Sequence, residues 1–124
     1  MTEQVSLYEA VGGQATFARL VDRFYAAVAA DPVLRPMHPE DLTGARQRMT
    51  AFLVQYWGGP KDYSDLRGHP RLRMRHATFQ IDLQARDRWL AAMRTALDHL
   101  ALPEEQDRTL WHYLQRTAHT LVNQ

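Results

Sequence analysis

The sequence predicts an all-α fold. Apolar residues recur at helical spacing in several segments, and glycine or proline ends most of them. No segment alternates apolar and polar residues as a half-buried strand does. A chain of 124 residues is long enough for one domain with its own core and too short for two comfortable ones, so we expect a single domain over residues 1–124.

The first two predicted helices flank a pair of glycines. A short helix covers about Ser6 to Val11 and stops at Gly12 and Gly13, whose missing side chains permit a sharp exit. These glycines lack the lysine of a phosphate-binding loop and follow no strand, so we interpret them as helix punctuation. The second helix has one continuous apolar stripe, which consists of Phe17, Leu20, Val21, Phe24, Tyr25 and Val28.

Prolines then interrupt the helical pattern. Each proline disfavours helical geometry in the residue before it, which places His38 in a bend. The helical pattern resumes near Thr43 and ends at Gly58, and residues 60–70 are predicted to form a loop. The prolines are Pro32, Pro36 and Pro39. The apolar face of this third helix is predicted to consist of Ala45, Met49, Phe52, Leu53 and Tyr56.

A short apolar stripe and two long helices complete the chain. Asp82 is the predicted N-cap of the first long helix, and Pro103, followed by two glutamates, is predicted to open the second within its first turn. The short stripe consists of Leu72, His76 and Phe79. The apolar faces of the long helices consist of Trp89, Met93, Ala96 and Leu100, and of Leu110, Leu114, Ala118 and Leu121.

The composition excludes several classes of function. The formal net charge of +1, from 15 basic and 14 acidic residues, gives no footprint for nucleic acid. The absence of cysteine excludes disulfides and thiolate sites. No run of about twenty apolar residues and no secretory signal is present, so we expect a cytoplasmic protein without a membrane span.

Histidine is the remaining candidate metal ligand. His112 and His119 share a helix face without a third ligand, which favours two surface side chains. His76 lies among apolar residues and is flanked by arginines. A hydrogen-bonded core histidine is the more common explanation of that pattern, but an apolar pocket with one imidazole and nearby cations is also what haem requires. Tyr25 and Trp89 are either ordinary core aromatics or hydrogen-bond donors in the same layer as His38 and His76.

Several strings resemble the group II truncated haemoglobins. "YWGGP", "GHPRLRMRH" and "RDRWL" occur in order and at the spacing of that family, and the similarity extends from about Leu7 to Val122. The resemblance implies a truncated globin, in which two pairs of antiparallel helices form a two-over-two sandwich around haem b. On this basis His76 matches the proximal iron ligand.

The same resemblance implies the other site residues. Tyr25 and Trp89 match the distal hydrogen-bond donors, and Ala45 stands where longer globins have their distal histidine. His38 stands where many relatives have tyrosine or phenylalanine, which presents a titratable donor to the ligand. The implied apolar haem contacts are Met49, Phe52, Leu53, Leu72 and Phe79, and the implied propionate partners are Arg48, Tyr63 and Arg73.

The sequence leaves three hypotheses about function, two with haem and one without it. The resemblance implies a protein that binds O2, CO and NO at ferrous iron, with high affinity for O2 and slow release. The alternative is a haem redox enzyme, either peroxidase-like or a nitric oxide dioxygenase, which would need a separate reductase. A helical interaction module without cofactor is the third hypothesis. The expected partners are therefore O2, NO, CO or peroxide, and the expected assembly is a monomer or a homodimer.

Overall fold

The computed structural model describes residues 6–38, 40–59 and 81–122. This part of the chain is helical and contains no strand, which confirms the all-α prediction. The predicted loop 60–70 and the stripe with His76 lie outside the described residues. The helices are α1 (Leu7–Ala10), α2 (Gln14–Ala30), a 3-10 helix (Arg35–Met37), α3 (Thr43–Tyr56), α4 (Leu83–Leu100) and α5 (Glu104–Leu121).

Helix α2 lies at the centre of the described core. It packs against α3 on one side and against α4 on another, and α4 packs in turn against α5. All six residues of the stripe predicted for α2 are buried. None of the described helices has the length and apolar character needed to cross a membrane. The largest fully buried side chains are Phe17, Phe24, Leu20, Met93, Leu97, Leu110, Val21 and Val28.

Polar side chains and glycines fix the helix ends. The Asp82 carboxylate accepts a hydrogen bond from the Ala85 N–H at 2.8 Å, as predicted for an N-cap. Pro103 is the N-cap of α5 and so lies one position before the first turn, in which the sequence analysis had placed it. Gly12 and Gly13 both have positive φ, at 112° and 75°, which confirms their role as punctuation between α1 and α2.

The end of α3 is packed against α1. The Tyr8 N–H donates to the Trp57 carbonyl oxygen at 3.0 Å. A Cβ at Gly59 would lie 2.5 Å from Val54 Cγ1 and 2.8 Å from Tyr8 Cε1, so only glycine fits this position. The helix ends at Tyr56, and that side chain is 50% exposed, so its predicted place on the buried face is wrong.

The Asp82 cap gives a test of the fold. Asp82→Ala should lower the free energy of unfolding by about 1 kcal/mol, because it leaves the Ala85 N–H without its partner. The matched control is Asp87→Ala on the same helix, which removes only an exposed ion pair with Arg86 and should cost far less. Urea unfolding of both variants measures the difference. An equal loss of stability in the two variants would contradict the capping role.

Candidate functional site

The Phe24 ring holds two potential hydrogen-bond donors together. Phe24 has no exposed surface. Its ring makes edge contacts with Tyr25 at 5.0 Å between centroids and with Trp89 at 5.3 Å. Such edge-to-face contacts stabilise aromatic pairs beyond the burial of their area. The phenol of α2 and the indole of α4 are therefore positioned by one buried ring.

Tyr25 is a protonated donor near neutral pH. Its side chain is almost wholly buried. Burial raises the pKa of Tyr25 above its ordinary value of 10.0, although the positive charges of Arg48 and Arg46 oppose the shift. Trp89 is half-buried, and an indole N–H can only donate. The pair thus offers one O–H donor and one N–H donor from two packed helices.

His38 lies beside Tyr25, in the bend after the 3-10 helix. The two rings meet edge to face at 5.8 Å between centroids, and His38 is half-buried. Its Nδ1–H donates to the carbonyl oxygen of Leu34 at 2.8 Å, because a carbonyl can only accept. Neutral His38 therefore has its Nε2 as an acceptor, and Nε2 becomes a donor only when the imidazole is protonated.

Helix α3 forms an apolar wall near these groups. Only three of its 14 residues are buried, namely Ala45, Leu53 and Val54. Met49 and Phe52 pack against the core but are only partly buried. Arg48 is exposed, although it lies close enough for its charge to act on the Tyr25 hydroxyl. The described chain thus leaves an apolar side of α3 incompletely covered.

The remaining residues that the sequence analysis considered for a metal or haem site divide into two sets. One set lies outside the described residues and consists of Tyr63, Leu72, Arg73, His76 and Phe79. The other set is described and exposed, as predicted for surface side chains, and consists of His112 and His119. Within residues 6–38, 40–59 and 81–122, no three His, Asp or Glu side chains form a possible metal site.

Sequence reasoning missed an aromatic triad, Tyr56, Trp57 and Tyr113, between the end of α3 and the middle of α5. The Tyr113 ring centroid lies 4.1 Å from that of Tyr56 and 5.3 Å from that of Trp57. Burial raises the pKa of Tyr113 to about 12. The signal was present, because Tyr113 is next to Leu114 and three positions from Leu110 on the buried face of α5.

Comparison with known proteins supplies the family. The model of the bacterial-like globins matches residues 6–123. Group 2 truncated hemoglobin YjbI of Bacillus subtilis is 44% identical over 117 residues, which cover 94% of this chain and 88% of that protein. The chain belongs to the group II truncated haemoglobins.

Solved structures of truncated haemoglobins share the fold. A thermostable hemoglobin from Thermobifida fusca is 57% identical, with a TM-score of 0.95 over 96% of this chain and 98% of that one. A "truncated oxygen-avid haemoglobin" from Bacillus subtilis is 42% identical, with a TM-score of 0.91 over 96% of this chain and 100% of that one. The prediction of a truncated two-over-two globin is thus confirmed, with α2 and α3 as one helix pair and α4 and α5 as the other.

Globins hold a haem, and the described residues fit its distal side. A haem needs apolar walls, cations for its propionates and distal groups that suit its ligand. Met49 and Phe52 offer partly covered apolar surface, and Arg48 offers a cation beside it. The O–H of Tyr25 and the N–H of Trp89 are donors of the kind that suits an electron-rich ligand.

Proposed function

We propose that this haemoglobin holds haem b within a single globin domain and binds O2 with high affinity and slow release, as well as CO and NO. The observation that carries the proposal is the contact of Tyr25 and Trp89 with the same buried ring of Phe24. The Bacillus subtilis relative is described as oxygen-avid, which agrees with it. We assign His76 as the proximal ligand on the family resemblance.

The distal donors account for tight binding. A ferrous haem held in this site would supply the iron for diatomic ligands, and bound O2 would have partial negative charge. Tyr25 and Trp89 donate to that charge from fixed positions, since the rings of both pack on Phe24. Each charge-assisted hydrogen bond contributes about 1.5 kcal/mol, which corresponds to roughly a tenfold change in the rate of release. Ala45 adds no donor, so the donors come from α2, from α4 and, when protonated, from His38.

The first test is the absorption spectrum of the purified protein. We expect a Soret band, either as isolated or after addition of haemin. His76→Ala should abolish normal axial ligation and change this spectrum, whereas His112→Ala, at an exposed position of α5, should leave it unchanged. Protein that never gains a Soret band would rule out haem binding, and a spectrum unaffected by His76→Ala would exclude that ligand.

The distal donors can be removed one at a time. Tyr25→Phe and Trp89→Phe keep most of the ring bulk but lose the O–H or N–H, so each should speed O2 dissociation about tenfold in stopped-flow measurements. The matched controls are Tyr8→Phe, whose ring stacks on Phe17, and Trp111→Phe, whose ring lies under Arg94. Release that is no faster from the two distal variants than from the controls would refute the donor roles.

His38 should make O2 release depend on pH. Neutral His38 presents Nε2 as an acceptor that competes for the Tyr25 O–H, whereas the imidazolium adds a donor. Release should therefore slow by up to about tenfold as pH falls from about 8 to 5. His38→Phe should give a flat profile. A flat profile in the unmodified protein would mean that the charge of His38 does not reach the ligand.

A second candidate function uses the same groups. An imidazole next to the Tyr25 phenol favours acid–base assistance to cleavage of a peroxide O–O bond. Nitric oxide oxidation is the other redox reaction that the family resemblance allows. Oxidation of nitric oxide needs electrons from a separate reductase, whereas a peroxidase takes its electrons from the reducing substrate. Steady-state turnover of a peroxidase substrate, compared with O2 release in the same sample, separates an enzyme from a binding protein.

A further inference from the structure

Asp31 holds the start of the bend that carries His38. Asp31 is the C-cap residue of α2. Its Oδ1 accepts hydrogen bonds from the N–H groups of Val33 at 2.8 Å and Leu34 at 3.1 Å. An aspartate that accepts from the backbone two and three residues ahead fixes a local turn. The chain therefore leaves α2 in a direction set by one carboxylate oxygen.

The other oxygen of Asp31 connects this turn to α4. Asp31 Oδ2 lies 3.2 Å from Nη1 of Arg88, which is 57 positions later in the chain. The Asp31 side chain is only 15% exposed. Arg88 immediately precedes Trp89, so this ion pair joins the bend to the turn of α4 that carries Trp89.

The contacts continue from the turn to the distal site. Leu34, whose N–H is held by Asp31, accepts the Nδ1–H of His38 through its carbonyl oxygen at 2.8 Å. The His38 ring packs edge to face on Tyr25. One carboxylate is thus connected to His38 and Tyr25 on one side and to the neighbour of Trp89 on the other.

We propose that Asp31 is a positioning residue for ligand binding. Through Leu34, Oδ1 sets the orientation of the His38 ring. Through Arg88, Oδ2 holds the bend against α4 and so fixes the distance between His38 and Trp89. The proposal rests on the proposed function, since the ligand is the one bound between these groups. Asp31 contacts neither ligand nor haem in this role and acts through Leu34 and Arg88.

Asp31 keeps its charge over the pH range in which His38 titrates. Burial alone would raise the pKa of Asp31, but the Leu34 and Val33 N–H groups and Arg88 outweigh it and hold the pKa below the ordinary value of 3.8. Among the described residues, the other charged groups along the bend and around Tyr25 are the side chains of Glu40 and Asp41 and four arginines, which stay protonated; the arginines are Arg35, Arg46, Arg48 and Arg88. A pH profile between about 5 and 8 therefore reports on His38.

Three variants separate the two roles of Asp31. Asp31→Asn keeps an oxygen for the Val33 and Leu34 N–H groups but loses the ion pair, and Arg88→Met also removes only the ion pair. Both should speed O2 release about threefold. Asp31→Ala loses the turn as well, and we expect it to speed release about tenfold and to flatten the pH profile. The control is Asp98→Asn, which removes an exposed ion pair with Arg94 on the same helix.

The tautomer of His38 gives a readout that does not need haem. Nitrogen NMR of histidine-labelled protein should show the Nδ1–H tautomer of neutral His38 in the unmodified protein, in Asp31→Asn and in Arg88→Met, and its loss in Asp31→Ala. A retained tautomer in Asp31→Ala, or wild-type release from Arg88→Met, would overturn the proposal. Failure to bind haem would instead sink the proposed function, and the tautomer would still decide whether Asp31 orients His38.

Discussion

The proposed distal site depends on the packing of Phe24. This ring is fully buried, and it contacts a phenol from its own helix and an indole from α4. Close packing in a protein interior allows little independent movement, so the hydroxyl of Tyr25 and the N–H of Trp89 keep a fixed separation. The chemistry of the site is therefore set by the same contact that holds α2 against α4. Stability and ligand affinity share one structural origin here.

Polar contacts perform the equivalent task at the bend. Prolines prevent a continuous α-helix in this stretch, and the backbone groups that an α-helix would have satisfied must find other partners. Asp31 supplies an acceptor for two of them, and the Leu34 carbonyl supplies one for His38. The buried Phe24 ring thus positions Tyr25 and Trp89 on their helices, whereas hydrogen bonds position His38 in the bend. The hydrogen bond to Leu34 also fixes the tautomer of His38.

The features that were predicted correctly from the sequence depend on residues that are close together in the chain. The stripe of α2 and the Asp82 cap follow from local spacing, and both are confirmed. Tyr56 was misplaced because helical periodicity does not reveal where the last turn ends, and α3 ends at that residue. The ion pair of Asp31 with Arg88 spans 57 positions, so no local pattern could reveal it. Roles for residues between 60 and 80 rest on the resemblance alone.

The location of the proposed donors determines how the O2 affinity of the site can change. Ala45 lies buried on α3, at the position that the family resemblance matches to the distal histidine of longer globins, so in the proposed site α3 contributes bulk and no hydrogen bond to the ligand. In the proposed site the donors instead come from α2 and α4, which pack against each other, and His38 lies beside Tyr25 in the bend after α2. Close packing of both donor rings on the buried Phe24 limits their reorientation, which agrees with the slow release that we propose. In this arrangement, affinity can change through the tautomer and charge of His38 without any change in the packed core.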